Sequence, residues 1–160
     1  MNTRVFASSL IALAAVCSSA VEAKVLANAV HAGNFSFSTA TALVPLNDAG
    51  NTTISVENKK TKAIDAVLTF SAECAALSST AAGWLDLDVL VNDVVITPTA
   101  GNLDAFCPYQ VGTSFSSWVR PSITMVVPLA PGVNTVKVQA RLNSGPTQGW
   151  VSDTALVITD

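Results

Sequence analysis

Asp86 and Asp88 are the carboxylates best spaced to do chemistry in this chain. Over Trp84–Val91, Leu85, Leu87, Val89 and Val91 alternate with Trp84, Asp86, Asp88 and Leu90, so period two puts both aspartates on one strand face. Carboxylates two residues apart on a strand stand roughly 7 Å from each other. That separation suits acid/base work on a glycosidic bond or, with Asn92 or Asp93, a calcium site. Open strand faces carry such pairs routinely, and a solvated face is the expectation for Asp86 and Asp88.

Two tryptophans share faces with charged residues. Over Ser116–Leu129, Val119, Pro121, Ile123, Met125 and Val127 fall on one face, and Trp118, Arg120, Ser122 and Thr124 on the other. An outward indole stacks on the apolar face of a sugar while polar neighbours bind its hydroxyls. Trp84, Asp86, Asp88, Trp118 and Arg120 therefore form the candidate ligand surface. Competing readings are a second core, a protein–protein interface, or a β-bulge that reverses the phase. Trp150 follows Gly145–Gly149, read as a flexible loop, and is equally ambiguous.

Other chemistries find little material. The chain has one histidine, His31, expected to be exposed in a mobile N-terminal segment, and a nucleophilic triad would need it beside a serine and a carboxylate. Gly112-Thr113-Ser114-Phe115-Ser116 lacks the second glycine of a nucleophile elbow. Neither a phosphate-binding loop nor a dinucleotide fingerprint occurs. No catalytic residue, cofactor or metal ligand is assigned, and the chain is read as a non-enzyme. Lys59, Lys60 and Lys62 are the only basic cluster; three phosphate contacts give weak, salt-sensitive attachment, so no nucleic-acid partner is expected. Asn34-Phe35-Ser36 and Asn51-Thr52-Thr53 are sequons, meaningful in a eukaryotic source.

Those residues sit in a chain of 160 residues, 50% hydrophobic and 12% charged, with a formal net charge of −3. This length corresponds to one domain, and the apolar fraction excludes a disordered tail. Residues 1–23 read as a secretory signal peptide: Arg4, an apolar stretch from Val5 to Val16, then small residues allowing cleavage after Ala20 or Ala23. The apolar stretch is shorter than the roughly 20 residues a membrane span needs. Cys17 raises the alternative of a lipidated N-terminus, although Val16 stands where that pattern takes a small residue. With Cys17 removed, Cys74 and Cys107 remain, and in an oxidising compartment they are expected to pair. Closing a loop of about 34 residues stabilises by roughly 3–4 kcal/mol in the chain-entropy model.

Strands must position all of these groups. Asn134–Leu142 alternates most regularly, with Val136, Val138, Ala140 and Leu142 against Thr135, Lys137, Gln139 and Arg141. Similar runs are Asn34–Thr39, Thr41–Leu46, Thr52–Asn58, Ala63–Cys74, Trp84–Val91, Val94–Pro98, Ser116–Leu129 and Thr154–Thr159. Asn92-Asp93 suits a two-residue hairpin turn, and Ala130-Pro131-Gly132-Val133 a type II turn. Only Glu73–Ala82 has a composition compatible with a short helical turn. Eight or nine short strands at this spacing predict an all-β, antiparallel sandwich or jelly roll over residues 24–160.

The stretch "SSWVRPSITMVVPLAPGVNTVKVQARL", a Gly-rich loop and "TALVIT" resemble the closing strands of tumour-necrosis-factor-like jelly-roll domains. The likeness covers roughly residues 114–160 and lacks the aromatic-rich last strand of animal members. It implies a sandwich that often trimerises and carries no catalytic site.

The sequence thus predicts a secreted, periplasmic or cell-surface β-sandwich with a binding or structural role, an unidentified ligand or protein partner, and a capacity to form homo-oligomers. One alternative is a pilin-like or adhesin subunit that donates a strand, with Lys24–His31 as the arm. The other is a carbohydrate-binding or carbohydrate-active secreted protein.

Overall fold

A computed structural model describes residues 23–78, 84–96, 105–111, 118–143 and 145–160. Residues 1–22 of the expected leader, Cys17 among them, lie outside the described residues, as does the Gly112–Ser116 segment. Eleven strands run through the described residues: β1 (Val25–His31), β2 (Phe35–Phe37), β3 (Thr41–Leu43), β4 (Thr53–Asn58), β5 (Ile64–Ser78), β6 (Trp84–Val91), β7 (Val94–Ile96), β8 (Ala105–Val111), β9 (Ser122–Leu129), β10 (Gly132–Asn143) and β11 (Pro146–Thr159).

Two sheets pack face to face as a β-sandwich. In the front sheet β11 lies between β1 and β5, β2 pairs with the start of β11, and β9 runs beside the first half of β5. In the back sheet β10 is central, with β6 on one side and β3 and β4 on the other, and β7 folds back on β6. The strand β8 belongs to both sheets. It pairs antiparallel with β6 and parallel with the end of β5, the exception to the antiparallel pattern.

Period-two alternation decides what enters the space between the sheets. On β10, Val136, Val138 and Ala140 are fully buried; on β5, Ala66, Leu68, Phe70 and Ala72 are, and on β11, Leu156 and Ile158. Each fully buried valine, leucine or phenylalanine contributes about 1.5–3 kcal/mol. The hydroxyl of Thr154 enters this layer and donates to the Pro45 carbonyl at 3.3 Å.

Four sequence expectations change here. Lys24–His31 is not a free arm: Val25–His31 forms β1, paired along β11, and Lys24 exchanges backbone hydrogen bonds with Asp160. His31 is therefore largely shielded, its side chain 16% exposed and its Nδ1 3.5 Å from Asp48 Oδ1. Gly145–Gly149 does not form a flexible loop, since β11 starts at Pro146. Gly149 is required there: an added Cβ would lie 2.6 Å from the Phe37 ring. Residues Glu73–Ser78 continue β5 and are not helical.

Both predicted turns form. Asn92 and Asp93 adopt φ values of 51° and 65°, the left-handed pair of a primed hairpin turn, and Gly132 has φ 90°. The turns are tied together by Asn134, whose side chain is buried. Its Oδ1 accepts from Ala130 N at 3.0 Å and from Asn92 Nδ2 at 2.9 Å, and its Nδ2 donates to the Ala130 and Gly132 carbonyls.

Candidate functional site

The disulfide is the hub around which the candidate residues are arranged. Cys74 on β5 and Cys107 on β8 are bonded, both fully buried, with Cα atoms 6.0 Å apart. Leu85 lies across from Cys107 in the back sheet, and Cys74 forms a bridge with Val119 in the front sheet. Trp84 and Trp118, one residue away on each side, therefore stand at the same end of the sandwich but on different sheets. The five-residue surface expected from sequence divides into two.

On the back sheet, Asp86 and Asp88 do not lie on a solvated face. They are 1% and 7% exposed. Since Leu85, Leu87 and Val89 fill the core, the aspartates do lie on the outer face, as the alternation requires. Shielding follows from the neighbours: β6 is an interior strand, with β10 on one side and β7 and β8 on the other. Arg141 sits across from Asp86 and Gln139 across from Asp88. The Arg141 guanidinium approaches Asp86 Oδ2 at 3.2 Å and Asp88 Oδ2 at 3.6 Å, and the Asn143 amide also donates to Asp86 Oδ2. One cation thus serves both carboxylates within the sheet surface. Trp84 is half-buried across from Asn143 and Pro108. Its indole nitrogen is buried with no hydrogen-bond partner among the described residues.

On the front sheet the phase argument holds. Trp118 is 42% exposed, and Ile123, Met125 and Val127 turn inward. The Cys74–Val119 bridge continues the β5–β9 register, which puts Trp118 level with Ala75 and Arg120 level with Glu73. On the other side of β5, Trp150 lies across from Ala75 and Ser152 from Glu73. Trp118 and Trp150 therefore flank Ala75 on one face, two strand spacings or roughly 10 Å apart, and Ala75 is only 2% exposed. Arg120 runs across the next row, its guanidinium donating to the Asp153 carbonyl at 3.4 Å.

That carbonyl is presented by a β-bulge. Between Ser152 and Ala155 the register of β11 slips by one residue against β5, and Asp153 takes φ 47°. Sequence reasoning left Trp150 ambiguous because the first half of β11 was read as a loop, and it missed Glu73 because only the register between distant strands sets that residue level with Arg120. The signal was present in Trp150 and Val151 alternating ahead of Ser152, but the extra residue of the bulge breaks the period.

Elsewhere, some charged groups are locally paired. Lys59 lies 3.5 Å from Glu57 and Lys60 2.7 Å from Asp160. They border a cleft of about 280 Å3 at the β1 end, also lined by Lys24, Asn58 and Ile64. No group of three or more His, Cys, Asp or Glu residues that could hold a metal ion occurs among the described residues. No helix among them is long and apolar enough to cross a membrane.

Comparison with known protein families and with curated proteins finds no match. Among solved structures, dimeric latent PorU from Porphyromonas gingivalis is similar to this chain with a TM-score of 0.44 at 15% sequence identity. The similarity covers 87% of this chain and 13% of that protein, so the chain spans a small part of the length of PorU.

Proposed function

We propose that this protein is an exported, non-enzymatic β-sandwich module that binds its ligand at the Trp118–Ala75–Trp150 row of the front sheet. The observation that carries this reading is the pairing of two indoles across a small residue, with Arg120 and Glu73 in the adjoining row. A saccharide is the ligand class that fits: indole faces stack on sugar rings, and the flanking ionic groups reach hydroxyls. Export is supported by the leader-like residues 1–23 and by the buried Cys74–Cys107 disulfide, a bond that persists in oxidising compartments. The non-enzymatic reading is supported by Asp86 and Asp88, whose carboxylates are turned to Arg141 and Asn143 in the sheet surface.

The strand-donating subunit has less support, because the segment that would leave is paired along β11 within its own sheet. A glycan array probed with the protein and with Trp118→Ala and Trp150→Ala tests the binding reading. Binding by the parent that falls at least tenfold in each variant is expected. Absence of binding by the parent, or retention of it in both variants, overturns the saccharide assignment.

A further inference from the structure

The rest of the front sheet's outer face carries a second feature, independent of the tryptophan row. Three successive ladders cross β9, β5, β11 and β1: Val126–Val67–Thr159–Val25, Thr124–Thr69–Val157–Asn28, and Ser122–Ser71–Ala155–Val30. None of these twelve positions is ionisable. Five are valines left 39–61% exposed. The back sheet differs, with Glu57, Asp86, Asp88, Lys137 and Arg141 on its outer side. Antiparallel sheets ordinarily present polar and charged residues to water on the face away from the core. An uncharged field flanked by charge is the composition of an interface centre.

We propose that this field is a self-association surface, on which two copies of the chain pack front sheet to front sheet about a two-fold axis. Three properties select a second copy as the occupant. First, the chain carries a net charge of −3, and this face lets two copies meet without bringing like charges together at its centre. Second, the borders carry Asp65 at one end and both signs, Arg120 and Glu73, at the other, so self-apposition leaves charges of opposite sign available to each other. Third, a second copy brings the same twist and the same side-chain grid, and sheets of like twist pack aligned within about 30°.

The area sets the strength. Four strands at about 4.8 Å and three ladders at about 6.8 Å give a footprint of roughly 400 Å2 per copy. The total, about 800 Å2, is at the low end for specific association, so the dimer is weak and exchanges rapidly. The charged row of Arg120 and Glu73 separates the field from Trp118 and Trp150, which leaves the proposed ligand row outside the contact.

Sedimentation velocity on the protein as cells produce it, from micromolar to millimolar concentration, tests the proposal. A monomer–dimer equilibrium is expected, weakened at least tenfold by Val67→Glu and by Val157→Glu and unchanged by Val133→Glu, a 71% exposed valine on the back sheet. Methyl NMR shifts of the parent supply a readout that needs no variant. Signals of Val67, Val126 and Val157 move with concentration, and those of Val94 and Val133 stay fixed. A monomer throughout the range, an equally strong dimer in both glutamate variants, or concentration-dependent shifts confined to other valines would overturn it. Glycan binding is scored separately, so loss of one proposal leaves the other standing.

Discussion

Arg141 stands directly across the β6–β10 strand pair from Asp86, and its guanidinium also reaches Asp88 two residues along. Because the Asp86 side chain is only 2% exposed, removing the cation strands a shielded carboxylate. Losing one partner of a buried pair costs about 3–5 kcal/mol. Arg141 itself is 28% exposed and Asn143 still donates to Asp86, which puts Arg141→Met at about 3 kcal/mol. Thermal unfolding should show a fall in Tm of roughly 10 °C. A change below about 2 °C would show that the pair is not sustained. Asp86→Asn, by contrast, is expected to leave every detectable hydrolytic activity unaltered.

The disulfide closes a sequence separation of 33 residues. Its removal by Cys74→Ala is expected to cost roughly 3–4 kcal/mol in the chain-entropy model, again about 10 °C in Tm. Thiol titration of the unfolded, unreduced protein supplies the check: labelling at Cys74 and Cys107 would contradict the bond.

Asn134 has all four side-chain hydrogen-bonding positions filled while fully buried. Asn134→Ala leaves the backbone N–H and C=O of Ala130 without these partners, an expected loss of about 2–3 kcal/mol. Denaturant unfolding of Asn134→Ala, Asn92→Ala and the double variant measures the link between the two turns. Coupling of about 1 kcal/mol is expected, and strictly additive losses would show that the turns are independent.

Gly149 faces inward against Phe37, with no room for a methyl group. Gly149→Ala should destabilise by about 1–3 kcal/mol through overpacking. Combining it with Phe37→Leu, which removes the ring edge, should recover part of that loss. If the two losses simply add, the close approach is not what excludes a side chain.

Legibility differed sharply between elements. The hairpin at Asn92-Asp93 and the turn at Pro131-Gly132 were readable because each depends on a few adjacent residues with distinctive φ preferences. The inward and outward sides of β6, β9 and β10 were readable for the same local reason. β1 and β8 were not, since Val25–His31 alternates weakly and β8 is held by pairing to both sheets. The bulge at Asp153 hid the first half of β11 by shifting its phase.

By itself, then, the sequence determined the strand class, the face on which the side chains of β6, β9 and β10 stand, the sharp turns and the pair of cysteines that bond. These follow from local sterics and a two-residue period, or from counting thiols. Only the tertiary structure decided what each outward face meets. Asp86 points away from the core as its phase demands, yet Arg141, distant in sequence, removes it from water. Trp118 finds its counterpart in Trp150 on the far side of β5, not in Trp84. Strand neighbours are set by long-range register, and no local period encodes which strands become adjacent.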